Sequence, residues 1–301
     1  MTVEPTALPT APAIHSATAL GTVRLTVSDI ASARAFYERA IGLSAADRDD
    51  GTVALGVRGE RPLIELLGDS SAAALDRRAT GLYHVAILMP SRRDLALALT
   101  RLADARWPLD GASDHLVSEA LYLSDPEGNG IEIYRDRPRD QWPRDGGRLE
   151  MATLALDLNS VIDELAAADA PQPLAPAGTR IGHVHLQVAD LGEAEAFYSG
   201  VLGFDVTVRG YPGALFVSAG GYHHHVGLNT WHSAGASAPA PGAVGLRSFE
   251  VRLPDDDELQ TVLARVRAAG IAMHEHDDTV LIRDPSGNGV LLSAGSNADA
   301  G

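Results

Sequence analysis

The chain has 301 residues, enough for two domains of ordinary size, and its 45% hydrophobic and 21% charged residues match a water-soluble globular protein. A formal net charge of −16 argues against a phosphate-backbone partner or an anionic membrane surface. Without a single cysteine the chain has no disulfide or thiolate chemistry, so any metal must be held by nitrogen and oxygen. No run approaches the about 18 apolar residues that a membrane span needs. The expectation is a cytoplasmic protein that binds neither nucleic acid nor membrane.

In chain order, residues 1–18 carry three prolines, no basic residue and no apolar core, and they predict a flexible N-terminal tail. Residues 22–43, TVRLTVSDIASARAFYERAIGL, predict a strand followed by a helix. Ser28 or Asp29 can cap that helix, and Ile30, Ala33, Phe36, Tyr37 and Ile41 fall on one stripe. A second strand and helix begin at GLYHVAILMPSRRDLALAL, residues 81–99. LSDPEGNGIEIY at 123–134 predicts a tight glycine turn between antiparallel strands rather than a phosphate loop, since no Walker lysine follows. Residues 137–178 open polar and proline-bearing, allow one helix near 157–168, and end in APQPLAPAG, which predicts a linker. From there the pattern repeats. HVHLQVADLGEAEAFYSGVLGF at 183–204 aligns without a gap on residues 22–43. GLRSFEVRLPDDDELQTVL at 245–263 matches 81–99, and IRDPSGNGVLLS at 282–293 matches the earlier turn. The loop SAGASAPAPGAVG separates the third unit from the fourth, and residues 296–301 predict a short C-terminal tail. The fold class is therefore α+β, four tandem βαβββ modules in two halves, 19–136 and 179–295.

These modules, with HV-x-L-x-V-x-DL…FY…LGF and DP-x-GNG signatures, resemble the vicinal oxygen chelate superfamily of glyoxalases, extradiol dioxygenases and antibiotic-resistance proteins. GLYHVAILMPSR, GASDHLVSEALYLSDPEGNGIEIYRDRP and GGYHHHVGLNTW are similar to the bacterial group named catechol 2,3-dioxygenase-like. The resemblance implies that modules pair into two half-open barrel cups, with metal ligands drawn from the first and last strands on the concave face.

Alternation along each strand identifies that face. Module one offers Thr22, Arg24 and Thr26, module two His84, module three His183 and His185, and module four Ser248, Glu250 and Arg252. On the last strands, Glu65 and Glu132 stand in modules one and two, while module four has Leu291. Pairing of neighbours would separate His84 and Glu132 from His183. Pairing of module two with module three collects His84, Glu132 and His183 in one cup and leaves the outer modules without a metal. A domain-swapped homodimer is a third arrangement. His185 is a rival for His183 on the same face, and each histidine alone could be an ordinary polar strand residue.

Val226 and Leu228 are expected to face the helices, which would put His223, His225, Asn229 and Trp231 on the concave side. His223 or His225 would then be a fourth ligand, a general base, or a rim residue, with Asn229 and Trp231 against substrate. Tyr122 precedes Glu132 at the separation that the resemblance associates with a substrate-contacting tyrosine. The resemblance also brings His115 towards the cup, and Phe216 is a candidate ring-packing wall. The two-histidine, one-carboxylate set suits Fe(II), so the resemblance implies extradiol cleavage of a catechol-like aromatic with O2. The alternatives are a glyoxalase-like isomerase or lyase using Ni, Zn or Mn, and a non-catalytic small-molecule binder.

Overall fold

In a computed structural model, residues 13–166, 172–276 and 278–295 are described. Module one comprises β1 (Ala19–Val27), α1 (Ile30–Phe36), β2 (Ser44–Asp47), β3 (Val53–Gly56) and β4 (Pro62–Gly68). Module two comprises β5 (Gly81–Leu88), α2 (Arg92–Asp104), β6 (Gly111–Asp114), β7 (Ser118–Ser124) and β8 (Gly130–Asp136). The connection holds short strands β9 (Arg144–Asp145), β10 (Arg148–Leu149) and β11 (Leu154–Ala155), then α3 (Leu158–Ile162). Module three follows with β12 (Arg180–Gln187), α4 (Leu191–Glu195), β13 (Asp205–Val208), β14 (Ala214–Ser218) and β15 (Val226–Asn229). Module four has β16 (Gly245–Leu253), α5 (Asp256–Ala268), β17 (His274–His276), β18 (Thr279–Arg283) and β19 (Gly289–Ala294).

Each module curls its strands in the order first, fourth, third, second. Modules then join first strand to first strand, antiparallel, but not with their sequence neighbours. β5 pairs with β12 to build a nine-stranded sheet from modules two and three plus β11, and β1 pairs with β16 to build an eight-stranded sheet from modules one and four. The crossed arrangement is thus formed within a single chain.

The helices start where the sequence places caps. Asp29 accepts from Ser32 N–H, Ser91 from Asp94 N–H and Asp255 from Glu258 N–H. Ser28 does not cap α1, because its hydroxyl binds Glu127 instead. Val23, Leu25 and Val27 are fully buried on the helix side of β1, as are Val184, Leu186 and Val188 at and beyond β12. One continuous apolar cluster joins the helices to both sheets.

The repeated FY and DP-x-GNG motifs are a fastening within each half. Tyr37 donates its hydroxyl to Asp125 at 3.2 Å, and Tyr198 does the same to Asp284 at 3.1 Å. Each aspartate also accepts from the Asn129 or Asn288 amide across its own turn at 2.9 Å. The turn reading holds, with Gly128 at φ +90° and Gly287 at φ +87° supplying the left-handed residue.

Two sequence expectations need correction. The flexible tail does not extend to residues 13–18: Ile14 and Thr18 are buried, and Ile14 N–H donates to Gly203 O at 2.8 Å. Residues 1–12, and the C-terminal tail at 296–301, lie outside the described residues. The 137–178 segment is more than a linker. β11 extends the sheet beside β6, and Trp142 is buried against Val117 and Tyr222. Its helix is shorter than expected, Leu158–Ile162 capped by Asp157, with residues 167 and 168 outside the described set.

Candidate metal centre

The register across β12, β5 and β8 assembles the site. His183 faces Ala86, and Ala86 faces Glu132, so the three form one row on the concave side of the sheet. Ala86 is fully buried and carries only a methyl, which lets the His183 and Glu132 side chains meet above it. In the next row His185 faces His84 and Gly227 faces His185, while Gly130 closes against His84. A side chain at Gly130 would run into the Tyr83 carbonyl oxygen, so the close approach of β8 to β5 requires glycine there. The pairing of short and long residues points the imidazole of His84 at the same space as Glu132.

His183 Nε2 lies 3.0 Å from Glu132 Oε2, in hydrogen-bond geometry. His84 Nε2 lies 2.9 Å from the same oxygen but outside hydrogen-bond geometry, leaving a buried nitrogen with no hydrogen bond. Donors occupying adjacent positions about 2.1 Å from a shared ion stand about 3 Å apart, so both spacings fit a metal. All three residues are buried, and their donor atoms lie within 4.8 Å of one another. Burial alone would raise the Glu132 carboxyl, but attraction to His183 and hydrogen bonding hold it well below its usual range. Burial pushes the His183 imidazole down to about 4. A carboxylate beside a neutral imidazole is the protonation state that metal binding needs. The residues therefore fit a divalent ion with two nitrogens and one oxygen.

This triad sits in a cavity of about 740 Å³. His185 lines it beside His84, its Nε2 buried and without a hydrogen bond, but stands outside the triad. Tyr122 and His115 line it together: His115 Nε2 and the Tyr122 hydroxyl are 2.6 Å apart, and His115 Nδ1 is 2.7 Å from Ala152 O. A carbonyl only accepts, so Nδ1 carries a proton, and Nε2 faces the tyrosine hydroxyl. Burial, then Glu132, raises the Tyr122 phenol well above its ordinary value. Phe216, Trp231, Tyr83 and Tyr211 form part of the wall.

The expected placement of His223, His225 and Asn229 on the cavity wall is corrected. β15 begins only at Val226, and the preceding turn breaks the alternation on which the expectation rested. His225 packs towards Phe204, and its Nδ1 accepts from Ala219 N–H at 3.1 Å. His223 is buried behind the wall, with Nε2 2.8 Å from Asp136 Oδ1. Asn229 is fully buried and holds Trp231 N–H through Oδ1 at 3.2 Å. The residue that reaches the cavity is His224, 4.1 Å from His183 between ring centroids, with Nδ1 2.7 Å from His223 Nδ1. Sequence reasoning passed over it because alternation gave it the wrong side. The HHH triplet itself was the available signal.

The outer cup is built differently. Glu65, the counterpart of Glu132, is bound by Arg24 at 2.7 Å and Arg48 at 3.0 Å. The Thr22 hydroxyl donates to Pro62 O, and Ser248 and Leu291 complete the positions that carry ligands in the inner cup. Among the described residues, the inner triad is the group with metal-ligand geometry.

The family model described as the Glyoxalase/Bleomycin resistance protein/Dioxygenase superfamily matches residues 19–133 and 180–292. The chain is 45% identical over 276 residues to a catechol-2,3-dioxygenase of Bacillus subtilis (strain 168), covering 90% of this chain and 95% of the relative. A crystal structure of a candidate dioxygenase from Bacillus subtilis subsp. subtilis strain 168 superposes with a TM-score of 0.64 at 13% identity, covering 94% of this chain and 86% of that one. Glyoxalase I from Zea mays gives a TM-score of 0.54 at 15% identity, with 92% of each chain covered. The two structures share the fold.

Proposed function

The chain belongs to the glyoxalase/bleomycin resistance protein/dioxygenase superfamily, and from that premise we propose that it is an Fe(II)-dependent extradiol dioxygenase acting on a catechol-like aromatic. The observation that carries this reading is the buried His84–Glu132–His183 group opening onto one side of an aromatic-walled cavity. Two imidazoles and one carboxylate leave coordination positions free for a chelating diol and dioxygen, the donor set that suits non-haem Fe(II). The 45% identity to a catechol-2,3-dioxygenase over nearly the whole chain supports it. Iron held by these three residues would supply Lewis-acid activation of the diol and electrons to dioxygen.

The chain's own groups handle protons and position. Asp136 is a hydrogen-bond acceptor, so His223 keeps its proton on Nε2 and presents a bare Nδ1 to His224. His224 then carries its proton on Nδ1, and Nε2 is left as a lone pair. Burial, followed by neighbouring histidines, holds that ring well below its ordinary value and therefore neutral. His224 is the base for a catechol hydroxyl proton, with His223 and Asp136 setting its tautomer. Tyr122, kept protonated by burial, orients a substrate oxygen together with His115. Phe216 and Trp231 pack against the ring.

A glyoxalase-like isomerase would favour a fourth protein ligand. Among the described residues the group with metal-ligand geometry has three members, which favours the dioxygenase. Anaerobic loading with Fe(II), followed by admission of air and catechol, should give a yellow product and one O2 consumed per catechol. Turnover that proceeds without oxygen, or equal activity with nickel or zinc, would refute the reading.

A further inference from the structure

We propose that the natural substrate is a catechol whose ring carries an extension ending in a carboxylate, recognised by the guanidinium groups of Arg77 and Arg78 at the mouth of the cavity. This substrate class rests on the dioxygenase reading above.

Both arginines line the cavity that holds the His84–Glu132–His183 group. Neither guanidinium has an ion pair or hydrogen bond among the described residues. In a chain with 40 acidic and 24 basic residues, two consecutive cations in the lining of one cavity run against the overall charge. The carboxylates next in sequence, beside the Gly128 turn and in the same cavity lining have hydrogen bonds of their own. Asp76 accepts from Arg78 N–H at 2.9 Å, Glu127 accepts from Ser28 and Asp29 N–H, and Asp110 accepts from the Ser124 hydroxyl.

The segment that carries the arginines is fastened to the body of the protein. Ala73 O accepts from Val244 N–H at 2.9 Å, Gln187 Nε2 donates to Ala79 O at 3.2 Å, and the Thr80 hydroxyl donates to Ser286 O at 2.7 Å. Arg77 lies over the turn before β8, with Nη2 3.0 Å from where a side chain on Gly128 would begin. The same turn runs into Gly130, which abuts His84. Cationic mouth and metal site are therefore two ends of one wall.

Volume and lining agree with a long substrate. About 740 Å³ falls in the range that drug-sized ligands fill and far exceeds a single six-membered ring. Tyr83 and Trp231, 37% and 39% exposed, offer aromatic surface to a ligand inside. Arginine is suited to the anionic end, because its planar fork binds a carboxylate through two hydrogen bonds.

The test compares 3-(3,4-dihydroxyphenyl)propanoate with 4-propylcatechol, its neutral counterpart, on iron-loaded wild-type protein and the double variant Arg77→Gln/Arg78→Gln. Wild type should favour the carboxylate at least tenfold in kcat/KM. The double variant should lose that preference, mainly through KM, and change less than twofold on 4-propylcatechol. Quenching of tryptophan fluorescence gives Kd for both compounds whether or not turnover occurs. Arginine-dependent preference in Kd without ring cleavage supports the substrate class and sinks the reaction. Ring cleavage with no preference for the carboxylate, or equal losses for both compounds in the variant, overturns the substrate class and leaves the reaction standing.

Discussion

Replacing Gly130 by alanine tests whether the strand register makes the metal centre, because the chain contains its own control. The added methyl would collide with the Tyr83 carbonyl oxygen and stand 3.2 Å from His84 Cβ. Backbone cannot rotate away as a side chain can, so β5 and β8 must separate at His84. Gly289 is the repeat equivalent in the outer cup, where alanine would collide with the Arg247 carbonyl oxygen and stand 3.1 Å from Ser248 Cβ. Both substitutions overpack a buried strand pair and should each destabilise the fold by about 1–3 kcal/mol. At about 2–4 °C per kcal/mol for a chain near this size, the melting temperature should drop roughly 2–12 °C in either variant. Their effects on metal should differ. Gly130→Ala shifts a ligand, and displaced supports of metal ligands weaken affinity about 10–100-fold; Gly289→Ala shifts Ser248, which holds nothing. Thermal melts of the metal-free proteins would measure the first effect, and competition with a chromophoric chelator the second. Equal metal loss in the two variants, or wild-type affinity in Gly130→Ala, would refute the register argument.

His84→Ala and His183→Ala should each abolish stoichiometric metal after gel filtration, whereas His185→Ala should retain it; elemental analysis separates the three. His224→Gln should keep its metal and slow turnover by about 10²–10⁴, the usual contribution of a positioned base, as read in steady-state assays on catechol. Glu119 is buried and receives Arg92 at 2.8 Å and Arg135 at 2.6 Å, so Glu119→Ala should destabilise by about 3 kcal/mol in urea unfolding. Burial alone would raise the Glu119 carboxyl, but hydrogen bonds from those arginines hold it below its usual value of 4.5. A depressed folded-state value gives stability that is complete above about pH 4.5 and disappears as pH falls through the folded value. Wild type should therefore lose more stability than Glu119→Ala between pH 5 and pH 3, and parallel acid unfolding curves would contradict this.

The sequence by itself determined everything with a local period. Alternation placed Val23, Leu25 and Val27 against the helices and put His84, His183 and Glu132 on concave faces. The internal repeat set out four modules, and the DP-x-GNG stretches read as turns because glycine at positive φ is a property of a few consecutive residues. What alternation cannot carry is a break in the strand. The turn before Val226 reverses which side each histidine takes, so His224 reaches the cavity while His223 and His225 lie behind it. Nor does a strand's own sequence name its partner. Each module offers the backbone edge of its first strand, and only the packed structure decides that β5 lies beside β12, bringing His84 and His183 to one carboxylate. Tyr83 and Arg77 enter the cavity wall for the same reason: their positions depend on contacts between segments far apart in the chain, and pairing across that distance is fixed by the whole fold.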